Sequence, residues 1–329
     1  MSLLDILIPL YILISLGYVL KKYQFPNQDF WPGIERMTYY VLFPTLIFVA
    51  LLKAEIDLTL IGKVFIVICI PAILSGLFQW LGFLSPNLSG PTFSSMFQGA
   101  VRNNTMISLV IAAWLVPENG LVIMAIIILI MVPFNNLTSI FILLRYGNTE
   151  ENSPTQNNAL ANNSALANNS APANKNAHKN LWLSIIKNPL IIACLLGLSL
   201  NILDVKLAKP LVNTADFLGR SALPFALLAV GAGLKFGSLF EKKLAITLSS
   251  FAKLILTPLL SWGLCILFDA GSDLTKVAII FSAMPTAVSA FILAKQMGGD
   301  ADAMAQIITI QTLLAALSIP VFLLIAQQY

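Results

Sequence analysis

Arg102, Asn103 and Asn104 stand in the middle of an otherwise apolar run, Ser94-Ser95-Met96-Phe97-Gln98-Gly99-Ala100-Val101-Arg102-Asn103-Asn104-Thr105-Met106-Ile107-Ser108. A guanidinium at mid-bilayer costs about 2.5–3.5 kcal/mol on insertion scales. Adjacent asparagines are also poor helix formers. A broken helix accounts for both, because freed backbone groups and polar side chains at a break line a cavity and not lipid. The second half-helix then turns its partly positive N-terminus toward that cavity. A guanidinium beside such an end suits a carboxylate. A second interruption lies in Phe281-Ser282-Ala283-Met284-Pro285-Thr286-Ala287-Val288-Ser289. Pro285 has no N–H and clashes with the preceding turn, so it breaks or kinks its helix. Paired interruptions in corresponding segments of two halves point to a transporter binding site. The candidate substrate-binding residues are therefore Arg102, Asn103, Asn104, Thr105, Pro285 and Thr286.

A second tier of polar residues shares these segments. Asn135 and Asn136 either reach the same cavity or hydrogen-bond a neighbouring helix, and Gln98 and Gln311 are similar. Ser282 lies beside the second break. Lys253 is either a second cation in the polar core or one half of a structural pair. Arg102 itself has a plainer reading, snorkelling to an interface or pairing with a carbonyl. Pro44 and Pro224 read as kinks. Gly231-Ala232-Gly233 lets helices approach closely and needs no ligand.

The elements that must hold these residues are membrane helices. Of 329 residues, 58% are apolar and 10% charged, against about a quarter charged in soluble domains. Crossing the hydrocarbon core takes about 20 apolar residues. Runs of that kind predict ten spans, at 3–20, 36–52, 61–84, 92–115, 120–144, 182–202, 211–234, 243–268, 276–296 and 303–326. The fold class is an all-α polytopic membrane protein. Residues 1–146 and 182–329 form its two five-helix halves. The stretch 147–181 is rich in Asn, Ala and Ser and reads as a disordered linker. Its sequons at Asn162 and Asn168 are what Asn-rich low complexity produces by itself. The positive-inside rule places the loops carrying Lys21, Lys22, Arg36, Arg145, Lys175 and Lys179 in the cytoplasm. Both termini are then outside and the linker cytoplasmic, in a plasma (inner) membrane.

An internal repeat links the halves. Pro9-Leu10 to Gly17 corresponds to Pro189-Leu190 to Gly197 at one fixed offset. At the same offset Pro44 meets Pro224 and Lys63 meets Lys243. Coincidences in three spans argue for duplication. An odd number of spans per copy inverts the second copy, and inverted repeats are a common construction of secondary transporters.

Several classes are excluded. The net charge of +4 is too small to suggest nucleic acid. The one histidine, His178, lies in the linker, which argues against histidine catalysis and histidine-based metal sites. Cys69, Cys194 and Cys265 sit in apolar segments as small hydrophobes. No cleavable signal, cofactor motif, Gly-x-Ser-x-Gly, His-Glu-x-x-His or paired mid-membrane aspartate is found, and no soluble signalling domain, which leaves a stand-alone membrane sensor as a lesser alternative. No Asp or Glu falls in the middle of a predicted span, which argues against a carboxylate proton relay. The substrate's own charge could then drive movement. A monoanion leaving through an inside-negative potential gains about 2.3 kcal/mol per 100 mV. Sodium coupling is the alternative, since unwound carbonyls and Asn side chains can hold Na⁺.

The chain resembles the auxin efflux carrier family, which includes the plant PIN-type carriers and bacterial malate or malonate permease-like members. The matching pieces are Leu42-Phe43-Pro44, Arg102-Asn103-Asn104-Thr105, Lys187-Asn188-Pro189-Leu190, Leu223-Pro224 with Gly231, and Ala283-Met284-Pro285-Thr286-Ala287. The resemblance covers nearly all the chain outside the linker. It implies crossing broken helices at spans 4 and 9 and a scaffold of spans 1, 2, 6 and 7. It also implies a transport domain of spans 3–5 and 8–10 that shifts like an elevator, a fold similar to bile acid–sodium symporters, and a homodimer. PIN-type carriers have a proline near the span 4 crossing where Asn103-Asn104 stands here. The expected substrate is a small organic anion, an auxin-like acid, malate or malonate.

Overall fold

The structure, a computed structural model, describes residues 3–27, 29–54, 59–86, 88–147, 187–233 and 242–329. Beyond Gly147, the expected linker, with Asn162, Asn168 and His178, lies outside the described residues. The described residues form helices and no strands. In chain order these are α1 (Leu3–Lys22), α2 (Phe30–Leu52), α3 (Thr59–Leu84), α4 (Gly90–Val101), α5 (Thr105–Leu115) and α6 (Gly120–Tyr146). They continue as α7 (Pro189–Ile202), α8 (Lys209–Gly233), α9 (Lys243–Leu267), α10 (Ser272–Ser282), α11 (Ser289–Gln296) and α12 (Ala301–Ala326). Six of them, α2, α3, α6, α8, α9 and α12, are long and apolar enough to cross a membrane, and α7 is a shorter apolar helix. Spans 4 and 9 of the sequence reading are each two short helices with a break between them. Span 2 begins earlier than expected, at Phe30, which brings Glu35 into the helix.

Prolines explain the irregular turns. A π turn covers Thr38–Leu42 in α2, Phe65–Cys69 in α3 and Ala252–Leu256 in α9. Each ends two residues before a proline: Pro44, Pro71 and Pro258. Proline supplies no N–H and crowds the carbonyl four residues back, and a widened turn absorbs both defects. In α8 the helix breaks at Ser221 just ahead of Pro224. Pro44 and Pro224, read as kinks in the sequence, thus each follow a local irregularity of the helix. In α3 and α9 the π turn and its proline correspond as a set, Phe65 to Ala252 and Pro71 to Pro258. That step is slightly longer than the one relating Lys63 to Lys243, so the two lysines do not match in place.

Close packing between the halves recurs in pairs. A Cβ on Gly17 would fall on the backbone of Leu228, and one on Gly197 would press on Phe48. The two contacts are related by the repeat, Gly17 answering to Gly197 and Phe48 to Leu228 at the offset that relates Pro9 to Pro189. The same holds for hydrogen bonds at helix ends. Lys21 Nζ donates to the Ala232 carbonyl at 2.7 Å, and Asn201 Nδ2 donates to the Leu52 carbonyl at 3.1 Å. These side chains satisfy terminal carbonyls that a helix leaves unpaired. The tight approach is required at Gly231, where any Cβ would strike the Ile14 carbonyl. The result is a group formed by α1 against α8 and α7 against α2, with the broken helices α4, α5, α10 and α11 packed among α3, α6, α9 and α12.

Candidate functional site

The two breaks meet and satisfy each other. Helix α4 ends when Arg102 turns extended, at φ −74° and ψ 144°. The next helix starts at Thr105, with Asn104 as its cap: Asn104 Oδ1 accepts from the Met106 and Ile107 N–H groups at 3.1 and 3.3 Å. The second chain segment leaves helix α10 at Ser282 and re-enters α11 at Ser289. The Asn104 N–H donates to the Pro285 carbonyl at 2.8 Å. Asn103 Nδ2 donates to the Phe281 carbonyl at 2.7 Å, near the end of α10. In the other direction the Thr286 hydroxyl sits 2.6 Å from the Gly99 carbonyl, near the end of α4. Each break therefore supplies a side chain to a carbonyl near the end of the helix that leads into the other.

Gln311 of α12 completes this knot. Its Nε2 donates to the Gly99 carbonyl at 2.9 Å, and its Oε1 accepts from the Thr286 N–H at 3.0 Å. The Thr286 hydroxyl is also 2.7 Å from that Oε1, so its single proton goes to one of two acceptors. Thr286 and Gln311 are fully buried.

Beside the knot lies a cavity of about 1250 Å³, including space open to solvent. One wall is α2, α7 and α8, with Glu35, Tyr39, Asn188 and Val230. The facing wall is the α4–α5 break, α6 and the start of α11, with Arg102 to Met106, Asn135, Asn136 and Ser289. Arg102 is held there by long bonds to neutral partners: its guanidinium is 3.4 Å from Asn136 Oδ1 and 3.3 Å from Ser289 Oγ. Among the described residues no carboxylate lies within ion-pair distance of it. Asn188 caps α7 through Oδ1, which accepts from Leu190 and Ile191, and its Nδ2 donates to the Tyr39 hydroxyl at 3.1 Å.

The structure divides the residues singled out in the sequence. Arg102, Asn103, Asn104, Thr105, Asn135 and Asn136 line the cavity. Pro285, Thr286 and Gln311 hold the crossing together from behind and are absent from the lining. Gln98 and Ser282 are buried with side-chain polar atoms lacking a protein partner. Lys253 is fully buried in the π turn of α9, and its Nζ also lacks a hydrogen-bond partner. It lies outside the cavity lining, and the structural pairing considered for it is not seen.

Four polar lining residues were not among the candidates from the sequence: Glu35, Tyr39, Asn188 and Ser289. Asn188 could have been found, because an Asn before Pro at the first helical position is a cap signal. Glu35 was hidden by placing the start of span 2 too late.

Comparison with known proteins points to transporters. A protein named "Uncharacterized transporter" from Methanothermobacter thermautotrophicus is 25% identical over 319 residues, covering 94% of each chain. A Rhizobium meliloti protein named "Putative malonate transporter" is 28% identical over 133 residues, 40% of this chain and 42% of its own. The family model described as "Membrane transport protein" matches residues 3–323. Helices suited to crossing a bilayer, paired helix breaks and a match across nearly the whole chain lead to one conclusion: this chain belongs to the membrane transport protein family.

Proposed function

We propose that this protein carries a small organic anion, a carboxylate, across the membrane, with Arg102 as the charge that receives it. The observation that carries the reading is the state of Arg102. It lies on a cavity wall with only long bonds to Asn136 and Ser289 and no carboxylate within ion-pair distance among the described residues. A guanidinium binds a carboxylate through a charge-assisted fork about twice as strong as neutral hydrogen bonds. An incoming carboxylate would therefore outcompete its present partners. Asn103, Asn104 and Thr105 shape the floor beside it, at the N-terminus of α5, where negative charge is favoured. The name borne by the Rhizobium relative supports a carboxylate substrate.

The accompanying architecture is ten spans in two inverted five-helix repeats. Support comes from contacts that recur at the repeat offset: Gly17 on Leu228 with Gly197 on Phe48, and Lys21 on Ala232 with Asn201 on Leu52. On this reading α1, α2, α7 and α8 are the scaffold. The remaining helices move past it as an elevator, carrying Arg102 and both breaks. The termini face outward, and an inside-negative potential drives the anion out.

Flux in proteoliposomes tests the reading. Vesicles are loaded with labelled malate, malonate, succinate or indole-3-acetate under an inside-negative potential, with and without Na⁺. Potential-driven exit that is independent of Na⁺ and lost in Arg102→Ala supports it. Flux that requires Na⁺ replaces the facilitator with a symporter. No flux of any acid, or an unaffected Arg102→Ala, refutes the carboxylate site.

A further inference from the structure

We infer that Glu35 makes the cavity selective for acids bearing a single negative charge and turns dicarboxylates away. The inference rests on the carboxylate reading above and narrows it. Among the described residues, Arg102 and Glu35 are the only charged side chains on the lining, Glu35 from α2 and Arg102 from the α4–α5 break.

The position of Glu35 follows from how α2 packs. Trp31 and Ile34 are buried against Ala229 and Ala232 of α8. That rotation turns Glu35, Tyr39 and Phe43, spaced four residues apart, toward the cavity. Tyr39 lies within electrostatic reach of Arg102. From Tyr39 back to Glu35 is one turn, about 6 Å along the axis. A short diacid held by one carboxylate at Arg102 must place its second group within this space.

Among the described residues the lining offers that second group no second cationic side chain, and two of its surroundings oppose it. Toward α2 it meets the Glu35 carboxylate, and like charges brought together in a partly desolvated site oppose each other. Against the apolar part of the lining it meets Phe43, Leu109, Val132, Ile140, Leu190 and Leu293, where an unpaired ionised group is costly. The Asn188 side chain is largely engaged, its Nδ2 donating to Tyr39 and its Oδ1 capping α7, which leaves one neutral N–H and no counter-charge for a second carboxylate. Lys21 is within Coulombic reach of Glu35, but its ammonium is bonded to Ala232 and is not on the lining. It moderates the field of Glu35 from behind and presents no cation to the cavity. The same apolar residues accommodate the uncharged body of a monocarboxylate. A repulsive element of this kind is a standard source of specificity.

The test is a ratio of fluxes in proteoliposomes at neutral pH, comparing indole-3-acetate and phenylacetate with malonate and succinate. The wild type is expected to favour the monocarboxylates by roughly tenfold or more. Glu35→Gln is expected to collapse that ratio to within a few-fold by admitting the diacids, and Glu35→Asp to retain it. Diacid flux in the wild type equal to that of the monocarboxylates overturns the inference but leaves the carboxylate reading intact. An unchanged ratio in a folded Glu35→Gln variant does the same. Absence of flux for every acid defeats both. If Glu35→Gln fails to fold, Glu35→Ala takes its place and is read by the same two outcomes.

Discussion

The Asn104 N–H donates to the Pro285 carbonyl at 2.8 Å, so the breaks of two helices in opposite halves of the chain are joined backbone to backbone. Around this bond Asn103 reaches the Phe281 carbonyl and Thr286 reaches the Gly99 carbonyl. Two interruptions that would each leave buried polar groups orphaned, at a cost of about 1–3 kcal/mol per group, share one hydrogen-bonded knot. The cavity and Arg102 are built on it.

Thr286 and Gln311 act as a unit in that knot, so their substitutions should not add. Thr286→Val removes one donor to Gly99, and Gln311→Leu leaves the Thr286 N–H without its acceptor. Each is expected to destabilise the purified protein by about 1–3 kcal/mol. The double variant should depart clearly from the sum. Thermal unfolding of the three variants checks this, and full additivity would contradict the shared network.

Asn104 has a capping role separable from any contact with substrate. Asn104→Ala should cost about 0.5–2 kcal/mol through loss of the cap on α5, and Asn104→Ser should recover most of it. Equal losses in both variants, in the same unfolding assay, would mean that the cap is not what Asn104 supplies.

Gly231 is a packing requirement and Gly263 is not. A Cβ at Gly231 would strike the Ile14 carbonyl, whereas one at Gly263 meets nothing within 4 Å. Gly231→Ala should destabilise by about 1–3 kcal/mol. Gly263→Ala, in the body of α9, should be neutral or stabilising by up to about 1 kcal/mol. Parallel unfolding curves would reveal the contrast.

Arg102→Lys keeps a charge but not the planar fork that reaches both Asn136 and Ser289. Lys is no substitute where a bidentate geometry is used. Carboxylate flux in Arg102→Lys should fall about tenfold or more and should not recover to the wild-type rate. Wild-type flux would reduce the role of Arg102 to that of a point charge.

Lys253 offers a different forecast. Its Nζ is buried without a hydrogen-bond partner, and a desolvated polar group of that kind costs stability. Lys253→Met keeps most of the side chain's volume and should raise thermal stability, by about 1 kcal/mol or more. A loss of stability would mean that the ammonium is held by interactions that its replacement removes.

What the sequence determined by itself is local. Apolar runs identified the membrane helices, and Arg102-Asn103-Asn104 and Pro285 located both breaks, because helix propensity and the missing proline N–H act within one turn. Gly17, Gly197 and Gly231 were visible as small residues at recurring places. The tertiary structure decided which side chains face the cavity. In a helix surrounded by lipid and by an equally apolar core, little hydropathy contrast distinguishes the two faces. Nothing local could therefore show that Glu35 and Tyr39 look toward Arg102, that Ser289 supports it, or that Thr286 and Gln311 turn away into the knot. Those assignments come from helices brought together from distant parts of the chain, as the Gly99 carbonyl and the Gln311 amide are. The register between α3 and α9 was fixed in the same way, by π turns that form where proline disturbs the backbone and not by the similar lysines near their starts.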